Sequence, residues 1–224
     1  MTERLDHPAP AQFADLEERH LMVLDAGSSL ARVYFSEGSH PATWRTFRHY
    51  GPTLRGRFDH HQPPSRVQER GVMYAAPGWR SPSGREQAAL KTCLAEVFRD
   101  QGTVNLVAGA PKLVIFTLSR PLRLLDLADS EWLTESGGNA AISSGSRIHA
   151  RRWARAIADR YGATIDGVFY APSNLPAARA AALWEPAVDA LPGRPRFNKA
   201  LADGVLRAAV ETYAFELRLD LVTG

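Results

Sequence analysis

Arginines are concentrated in one stretch of the first half of the chain. Residues 41–85 contain eight arginines against two acids, and they carry three histidines. The arginine fork of N–H donors matches phosphate oxygens better than the point charge of lysine does. An isoelectric point near 9.2 agrees with a basic chain. The sequence therefore predicts an anionic ligand, either a nucleotide or a nucleic acid.

Arg32 stands out because its neighbours are apolar. Residues 30–35 alternate in a way that predicts a strand, with Arg32 and Tyr34 on one face and Val33 and Phe35 on the other. An arginine buried in such a strand is costly unless it meets a partner of opposite charge. The sequence leaves two such partners open, a structural carboxylate and an anionic ligand.

Three further side chains have chemistry of interest, although spacing alone gives each of them a commoner role. Arg57 lies in a predicted loop, and Tyr74 lies in a short predicted strand. Glu96 lies on a predicted helix but off its apolar stripe, which indicates that it is not a core residue of that face. The commoner roles are a solvated loop charge, a core or rim tyrosine and an exposed helix carboxylate, respectively.

The motifs of several enzyme classes are absent from the sequence. It has no Gly-rich dinucleotide-binding or phosphate-binding motif and no Gly-x-Ser-x-Gly elbow. His49, His60 and His61 have no neighbouring ligands at metal-site spacing, and they are predicted to be solvated loop residues. Cys93 lies on the apolar stripe of its helix and is predicted to be a buried structural thiol. No metal site is expected.

Composition predicts a globular, cytoplasmic protein. Of the 224 residues, 45% are apolar and 23% are charged, which is ordinary for a folded domain. The longest apolar runs are far shorter than the roughly 18 residues that a membrane span needs. The N-terminus lacks the apolar region of a secretory signal. A single cysteine excludes an internal disulfide.

The strands and helices that must position these residues do not alternate strictly along the chain. Strands are predicted over residues 30–35, 71–76, 113–118, 122–127, 165–171 and 215–221. Helices are predicted over residues 85–100, 143–161, 177–184 and 200–209. We therefore predict an α+β fold with mixed or antiparallel strands and packed helices. Residues 1–20 are predicted to form an N-terminal arm outside the core, and residues 21–224 a single domain.

The order and spacing of seven short segments resemble the RES-domain family, most clearly over residues 30–184. These segments are residues 30–34, 56–59, 72–76, 94–98, 122–127, 153–157 and 166–173. The resemblance implies a fold similar to ADP-ribosyltransferase toxins and a catalytic domain over residues 21–224. It also implies that NAD⁺ is the substrate and that the chain is a toxin neutralised by a DNA-binding antitoxin.

The same resemblance implies roles for individual residues. Arg32, Tyr74 and Glu96 would be catalytic, with Glu96 holding the ribose hydroxyls and stabilising the positive charge that develops as the bond breaks. Arg32 and Arg57 would bind the phosphates of the substrate. Tyr34 and Tyr74 would stack on its rings.

Serines supply the remaining candidate contacts that the resemblance implies. The family serine is best matched by Ser173, which would hold a ribose hydroxyl or the nicotinamide amide. Ser143 and Ser144, at the predicted start of a helix, would instead present a phosphate to a helix N-terminus. The arginine loop ends in Phe58-Asp59 where the family often has Trp-Asn. This departure adds a negative charge near the expected anion site.

The function that the resemblance implies is cleavage of the nicotinamide–ribose bond of NAD⁺. The sequence leaves the acceptor open among water, phosphate and a protein side chain. It also leaves open two other classes of protein, a basic nucleic-acid-binding module and a catalytically silent relative that only binds a partner. A homo-oligomer is compatible with the sequence, and a membrane partner is not expected.

Overall fold

The computed structural model describes residues 5–80, 84 and 86–223. Within these residues the strands are β1 (Leu21–Leu24), β2 (Ser29–Phe35), β3 (Arg48–Gly51), β4 (Arg66–Pro77), β5 (Trp79–Arg80), β6 (Glu86–Gln87), β7 (Thr103–Asn105), β8 (Pro111–Thr117), β9 (Leu122–Asp126), β10 (Gly167–Tyr170), β11 (Ala180–Leu183), β12 (Phe197–Ala200) and β13 (Asp220–Val222). The α-helices are α1 (Ala89–Phe98), α2 (Trp132–Glu135), α3 (Ala141–Ser144), α4 (Arg147–Tyr161) and α5 (Arg207–Glu216). The predicted helix start at Arg85, residues 1–4 of the predicted arm and the last residue of the predicted domain lie outside the described residues.

The main sheet contains nine strands, in the order β1-β9-β10-β11-β4-β2-β8-β12, with β3 paired to β4. β9 and β10 run parallel, and the other neighbours run antiparallel. β2 and β4 pair only at Leu30 and Ala31 of β2, so the two strands separate from Arg32 onward. This mixed sheet with packed helices confirms the predicted α+β fold.

Alternation along the central strands gives the two faces of the sheet different partners. Leu125 and Val168 pack in the same apolar cluster as Trp153 of α4. Their neighbours Leu124 and Phe169 belong to a cluster on the opposite face. α1 contacts α5 and also lies against both β2 and β4. The helix that carries Glu96 is therefore held beside the point where these two strands separate.

Three predicted elements were wrong. Residues 177–184, predicted as a helix, contain strand β11, whose alanines pair with β10 on one side and β4 on the other. Residues 215–221, predicted as a strand, span the end of α5 and the start of β13. The helix predicted over residues 200–209 begins only at Arg207, after β12 and a turn. Pairing across the sheet and tertiary packing outweigh such local patterns.

The N-terminal segment is part of the core, which corrects the prediction of an arm outside it. Leu5 is 2% exposed and Phe13 is 5% exposed. Phe13 stacks on Trp153 of α4, and the indole N–H of Trp153 donates to the carbonyl of Asp6. The segment is therefore anchored by both an apolar side chain and a hydrogen bond. No helix of the described part of the chain is long and apolar enough to cross a membrane.

Candidate functional site

A cavity of about 560 Å³ opens where β2 and β4 separate, between α1, the start of α4 and the loops that follow β2 and β10. Five of the residues predicted for the site line it together: Arg32, Arg57, Tyr74, Glu96 and Ser173. They are distant in sequence and come from two strands, one helix and two loops. The fold therefore assembles most of the predicted site in one place.

Arg32 is held by main-chain carbonyls rather than by an acid. Its Nη1 donates to the carbonyl of Thr46 over 2.8 Å and to that of Trp44 over 3.4 Å. Desolvation lowers the pKa of Arg32 to about 10, which still leaves the side chain cationic at neutral pH. No carboxylate of the described residues forms an ion pair with it. Of the two partners left open by the sequence, the structural carboxylate is not observed.

Tyr34 lies outside the cavity, although it follows Arg32 by two residues on the same strand. Its side chain is 6% exposed, and its hydroxyl donates to Asn198 Oδ1 over 2.9 Å. Asn198 belongs to β12, on the far side of β8. Tyr34 is therefore buried against the sheet, and a stacking role on a ligand does not fit this position.

Arg57 is fixed by the connection between α3 and α4. Its Nη1 donates to the carbonyl of Gly145 over 2.8 Å and to that of Ile142 over 3.3 Å. Desolvation lowers the pKa of Arg57, and the nearby cation Arg147 lowers it further, whereas the carboxylate of Glu96 acts in the opposite direction. The guanidinium therefore faces the cavity with no carboxylate of the described residues as an ion-pair partner.

Asp59 is buried, which corrects the expectation that it adds negative charge at the anion site. It is 0% exposed and does not line the cavity. Its carboxylate accepts hydrogen bonds from Arg48 Nη2 over 2.6 Å and from the Tyr74 hydroxyl over 2.9 Å. Burial by itself would raise the pKa of Asp59, but Arg48 and the hydrogen bonds from Thr53 and Tyr74 outweigh it and hold that pKa below its usual value.

Gly56 is required by the close approach of this loop to Asp59. A Cβ atom at residue 56 would lie 1.9 Å from Asp59 Oδ1. Any side chain at Gly56 would therefore displace either the loop or the buried carboxylate.

Tyr74 offers its ring rather than its hydroxyl to the cavity. The hydroxyl donates to Asp59 and accepts the backbone N–H of Phe58 over 3.0 Å. Burial raises the pKa of Tyr74 well above its usual value, and the neighbouring carboxylate raises it further. The hydroxyl therefore stays protonated and engaged with the loop.

Glu96 is the carboxylate of the cavity that faces no ion-pair partner in the described chain. The side chain is solvent-accessible because it opens onto the cavity, while the apolar stripe of α1 packs elsewhere through Leu94 and Phe98. Glu96 Oε2 accepts a hydrogen bond from the Tyr170 hydroxyl over 3.0 Å. Desolvation raises the pKa of Glu96, against the lowering effects of Tyr170 and Arg57. Its position off the stripe, predicted from the sequence, is what turns it toward the cavity.

The predicted serines divide between two places. Ser173 lines the cavity, next to Asn174. Ser143 and Ser144 do not line it, and they end the short helix α3 rather than open a long one. α4 begins separately at Arg147. The predicted presentation of a phosphate by Ser143 or Ser144 at a helix N-terminus does not fit this geometry.

Several cavity residues were not singled out from the sequence. Arg147 lines the cavity and forms an ion pair with Asp100 over 2.8 Å. Arg48 and Arg55 also line it. Tyr170 belonged to a segment of the family resemblance but received no role. The signal that could have identified it is a tyrosine at the end of an otherwise apolar strand, whose hydroxyl needs a partner when buried.

The histidine prediction was wrong for two of the three residues. His60 and His61 are 3% and 0% exposed, whereas His49 is exposed. His60 packs its ring on Trp184, and His61 Nε2 lies 3.1 Å from the carbonyl of Arg48. The described residues include no group of three side chains placed to hold a metal ion.

Cys93 is buried, as predicted from its position on the apolar stripe of α1. Desolvation raises the pKa of its thiol to about 12. A thiol with such a pKa is protonated at neutral pH and is a poor nucleophile.

A second hollow of about 610 Å³ lies between the N-terminal segment and α4. It is shallower than the cavity and is lined by Pro8, Pro10, Arg152, Arg155 and Asp159, among others. None of the residues predicted for the site lies in it. The cavity at β2 and β4 is therefore the candidate functional site.

Comparison with known proteins adds a fold relationship. No protein-family model matches the chain, and no curated protein matches it. Among solved structures, the chain is similar to a chain of the crystal structure of the M. tuberculosis MbcT–MbcA toxin–antitoxin complex. The TM-score is 0.52 at 15% identity, and the match covers 88% of this chain and 91% of that chain. The two chains share a fold.

Proposed function

We propose that this chain cleaves the nicotinamide–ribose bond of NAD⁺. The observation that carries the proposal is Glu96, a carboxylate that opens onto a cavity lined by arginines and is hydrogen-bonded by the buried Tyr170. Cleavage breaks the bond between the ribose carbon and the nicotinamide nitrogen, and the electron pair leaves with the neutral nicotinamide. The sugar becomes an oxocarbenium-like cation, which a nearby carboxylate stabilises.

The other cavity residues fit the rest of such a substrate. Arg32 and Arg57 would bind the two phosphates, because each presents a guanidinium to the cavity without a carboxylate partner in the described chain. The ring of Tyr74 would pack against a ring of the dinucleotide. Ser173 would hold a ribose hydroxyl or the nicotinamide amide. Binding in this way would place the scissile bond next to Glu96.

The alternative of a nucleic-acid-binding module has less support. The arginines of residues 41–85 do not form one open face, because Arg48, Arg55 and Arg57 line the concave cavity and Arg70 contacts Asp159. Nucleic-acid backbones are usually bound by clustered cations on an accessible surface. The position of Glu96, open to the cavity and hydrogen-bonded by Tyr170, favours a catalytic chain over a catalytically silent relative.

We further propose that the chain is a toxin of the RES-domain type and that a DNA-binding antitoxin neutralises it. The sequence resemblance supports this proposal, together with the fold shared with a chain of a toxin–antitoxin complex. Expression of the chain alone should arrest growth and lower cellular NAD⁺, and co-expression of the antitoxin should restore both. Normal growth with abundant folded protein and unchanged NAD⁺ would contradict the toxin proposal.

The experiment that tests the reaction is product analysis by NMR. Purified protein is incubated with NAD⁺ in the absence of added metal, with and without inorganic phosphate, and with candidate target proteins. Release of nicotinamide supports the proposal, and the second product identifies the acceptor: ADP-ribose for water, a sugar phosphate for phosphate, or a modified protein. Intact NAD⁺ under all three conditions contradicts it.

A further inference from the structure

The loop formed by residues 53–57 is held by a buried cation that has no carboxylate partner among the described residues. Arg151 of α4 is 8% exposed. Its Nη1 donates to the carbonyls of Thr53 over 2.8 Å, Gly56 over 3.3 Å and Leu54 over 3.4 Å. Burying a charge is costly unless hydrogen bonds replace its hydration. The main-chain carbonyls on both sides of Arg55 supply that replacement.

The same loop is held from its other side by a buried anion. Asp59 Oδ2 accepts the backbone N–H of Thr53 over 2.9 Å and its hydroxyl over 3.0 Å. Gly56 packs so tightly against Asp59 that a Cβ atom would not fit. Two buried charges, Arg151 and Asp59, therefore fix the backbone around Arg55. The Arg55 side chain itself is exposed and lines the cavity.

Of the cavity arginines that form no ion pair with a described residue, the proposed function leaves one without an assigned group of the substrate. Among the described residues, five arginines line the cavity: Arg32, Arg48, Arg55, Arg57 and Arg147. Two of these are neutralised by ion pairs with buried or nearby acids, Arg48 by Asp59 and Arg147 by Asp100. Arg32, Arg55 and Arg57 have no such pair among the described residues. The proposed function assigns Arg32 and Arg57 to the two phosphates and Glu96 to the ribose, so Arg55 has no assigned group.

We propose that Arg55 binds a third phosphate, so that the preferred substrate is a nicotinamide dinucleotide phosphorylated on a ribose, as in NADP⁺, rather than NAD⁺. A phosphate monoester carries about −1.5 to −2 charge at pH 7 and accepts bidentate hydrogen bonds from a guanidinium. Because the backbone at Arg55 is already fixed, only its side chain must be ordered when it binds that group. This inference rests on the proposed function. It narrows the substrate of that reaction to nicotinamide dinucleotides that carry a ribose phosphate.

The test compares nicotinamide release from NADP⁺ and NAD⁺ by wild type, Arg55→Gln and the control Arg66→Gln. Arg66 is likewise exposed but does not line the cavity. We expect wild type to have a kcat/KM about tenfold higher for NADP⁺, which corresponds to one charge-assisted contact. Arg55→Gln should remove this preference and leave kcat/KM for NAD⁺ within about threefold, and Arg66→Gln should change neither.

A variant of Arg151, which holds the loop, provides a second test of the inference. Arg151→Met removes all three hydrogen bonds to the loop, so it should reduce the NADP⁺ preference while Arg55 is still present. Arg152→Met is its control, because the adjacent Arg152 contacts His7 and lies outside the cavity. The loss of preference, rather than a loss of melting temperature alone, is the expected result. An Arg151→Met variant that is folded and keeps the full preference would overturn the role of the fixed loop.

Three kinetic results would overturn the inference. The first is a wild-type preference for NAD⁺. The second is an Arg55→Gln variant that loses activity on both dinucleotides equally. The third is an Arg55→Gln variant that loses only a dependence on inorganic phosphate, which would assign Arg55 to a free phosphate.

A binding measurement separates this inference from the proposed reaction. Calorimetric titration of the protein with adenosine 2′,5′-bisphosphate and with AMP needs no turnover. Suppose that wild type binds the bisphosphate about tenfold more tightly than AMP, that Arg55→Gln abolishes this difference, and that neither dinucleotide is cleaved. That result would contradict the proposed reaction and support the phosphate site. If the two nucleotides bind equally, the phosphate site fails whatever the activity.

Discussion

The hydroxyl of Tyr170 donates a hydrogen bond to Glu96 Oε2 over 3.0 Å, beside the cavity. Tyr170 is 1% exposed, and burial together with the nearby carboxylate raises its pKa well above the usual value, so it remains a donor. Desolvation raises the pKa of Glu96, whereas the hydrogen bond from Tyr170 lowers it. Tyr170 therefore stabilises the ionised carboxylate that the proposed reaction requires.

Tyr170→Phe tests this relationship. The variant keeps the ring and removes only the donor, so the pKa of Glu96 should rise further. We expect the acidic limb of the pH–rate profile to move to higher pH, and turnover on that limb to fall roughly tenfold, because a smaller fraction of the carboxylate is ionised there. The measurement is nicotinamide release between pH 5 and 9.

Tyr34→Phe is the matched control for that variant. It also removes a buried tyrosine hydroxyl, but one that contacts Asn198 outside the cavity. Its pH profile and turnover should equal those of wild type. A loss of activity in Tyr34→Phe alone would contradict the position assigned to both tyrosines.

Glu96→Gln should have opposite effects on activity and stability. Because the folded protein raises the pKa of Glu96, its protonated form is favoured on folding, and the ionised form at neutral pH opposes folding. This destabilising effect is present above the raised pKa and disappears as the pH falls through it. Glutamine removes the charge, so the melting temperature at pH 7 should be equal to or above that of wild type.

Turnover of Glu96→Gln should fall roughly a hundredfold or more, because the carboxylate stabilises charge that develops only in the transition state. Substrate binding should remain within a few-fold of wild type. Thermal melting, calorimetry and turnover of the same preparation separate these effects. Full turnover would make Glu96 an ordinary exposed helix carboxylate, and a lower melting temperature would make it structural.

Arg32→Ala should fail in ground-state binding. Loss of one charge-assisted phosphate contact costs about 1.5–3 kcal/mol, which is roughly a tenfold to hundredfold loss in affinity. Arg32 also holds the carbonyls of Trp44 and Thr46, so a melting curve must accompany the ADP-ribose titration. Weak binding with a near-normal melting temperature supports phosphate binding. Unfolding or aggregation at 25 °C would assign Arg32 to the fold instead.

Asp59→Asn should destabilise the protein. It removes the charge from a buried ion pair with Arg48 and replaces one of two acceptor oxygens, which bind Arg48, Tyr74 and Thr53, by a donor, at a cost of about 3–5 kcal/mol. Since Asp59 has a lowered pKa in the folded state, its contribution is present above the unfolded pKa, about 3.9, and is lost as the pH falls through the folded pKa. The variant should therefore melt lower than wild type at pH 7, by roughly 6–20 °C, and the gap should narrow in acid.

The control for this prediction is Asp15→Asn, because Asp15 has a side chain that is 96% exposed. Its melting temperature should match that of wild type. If Asp59→Asn also melts like wild type at pH 7, then Asp59 does not hold the loop, and the fixed position of Arg55 loses one of its two supports.

The sequence was most informative where a residue type conflicted with its neighbours. Arg32 in an apolar strand and Glu96 off an apolar helix stripe both line the cavity. Their meeting depends on β2 and β4 separating after Ala31, and on α1 packing beside that opening. Local periodicity gives the face of one element, whereas the meeting of faces is a tertiary property.

Predictions failed where the hydrogen-bond partner of a side chain is distant in sequence or belongs to the main chain. Tyr34 shares the predicted face of Arg32, but a hydrogen bond to Asn198 of a distant strand keeps it in the sheet. No sequence signal indicated the role of Arg151, because its partners are main-chain carbonyls, which no pattern of side chains reveals. His61 was predicted to be a solvated loop residue because it has no neighbouring metal ligands, yet it is 0% exposed.

The central claim is that Glu96 supports cleavage of a nicotinamide–ribose bond in this cavity. The most direct measurement is chromatographic quantification of nicotinamide released from NAD⁺ and NADP⁺ by wild type and by folded Glu96→Gln at equal concentration. The account predicts many turnovers by wild type, one nicotinamide for each dinucleotide consumed, and a rate at least roughly a hundredfold lower for the variant. Both dinucleotides remaining intact after prolonged incubation with stoichiometric wild type would contradict it, as would equal rates for the two proteins.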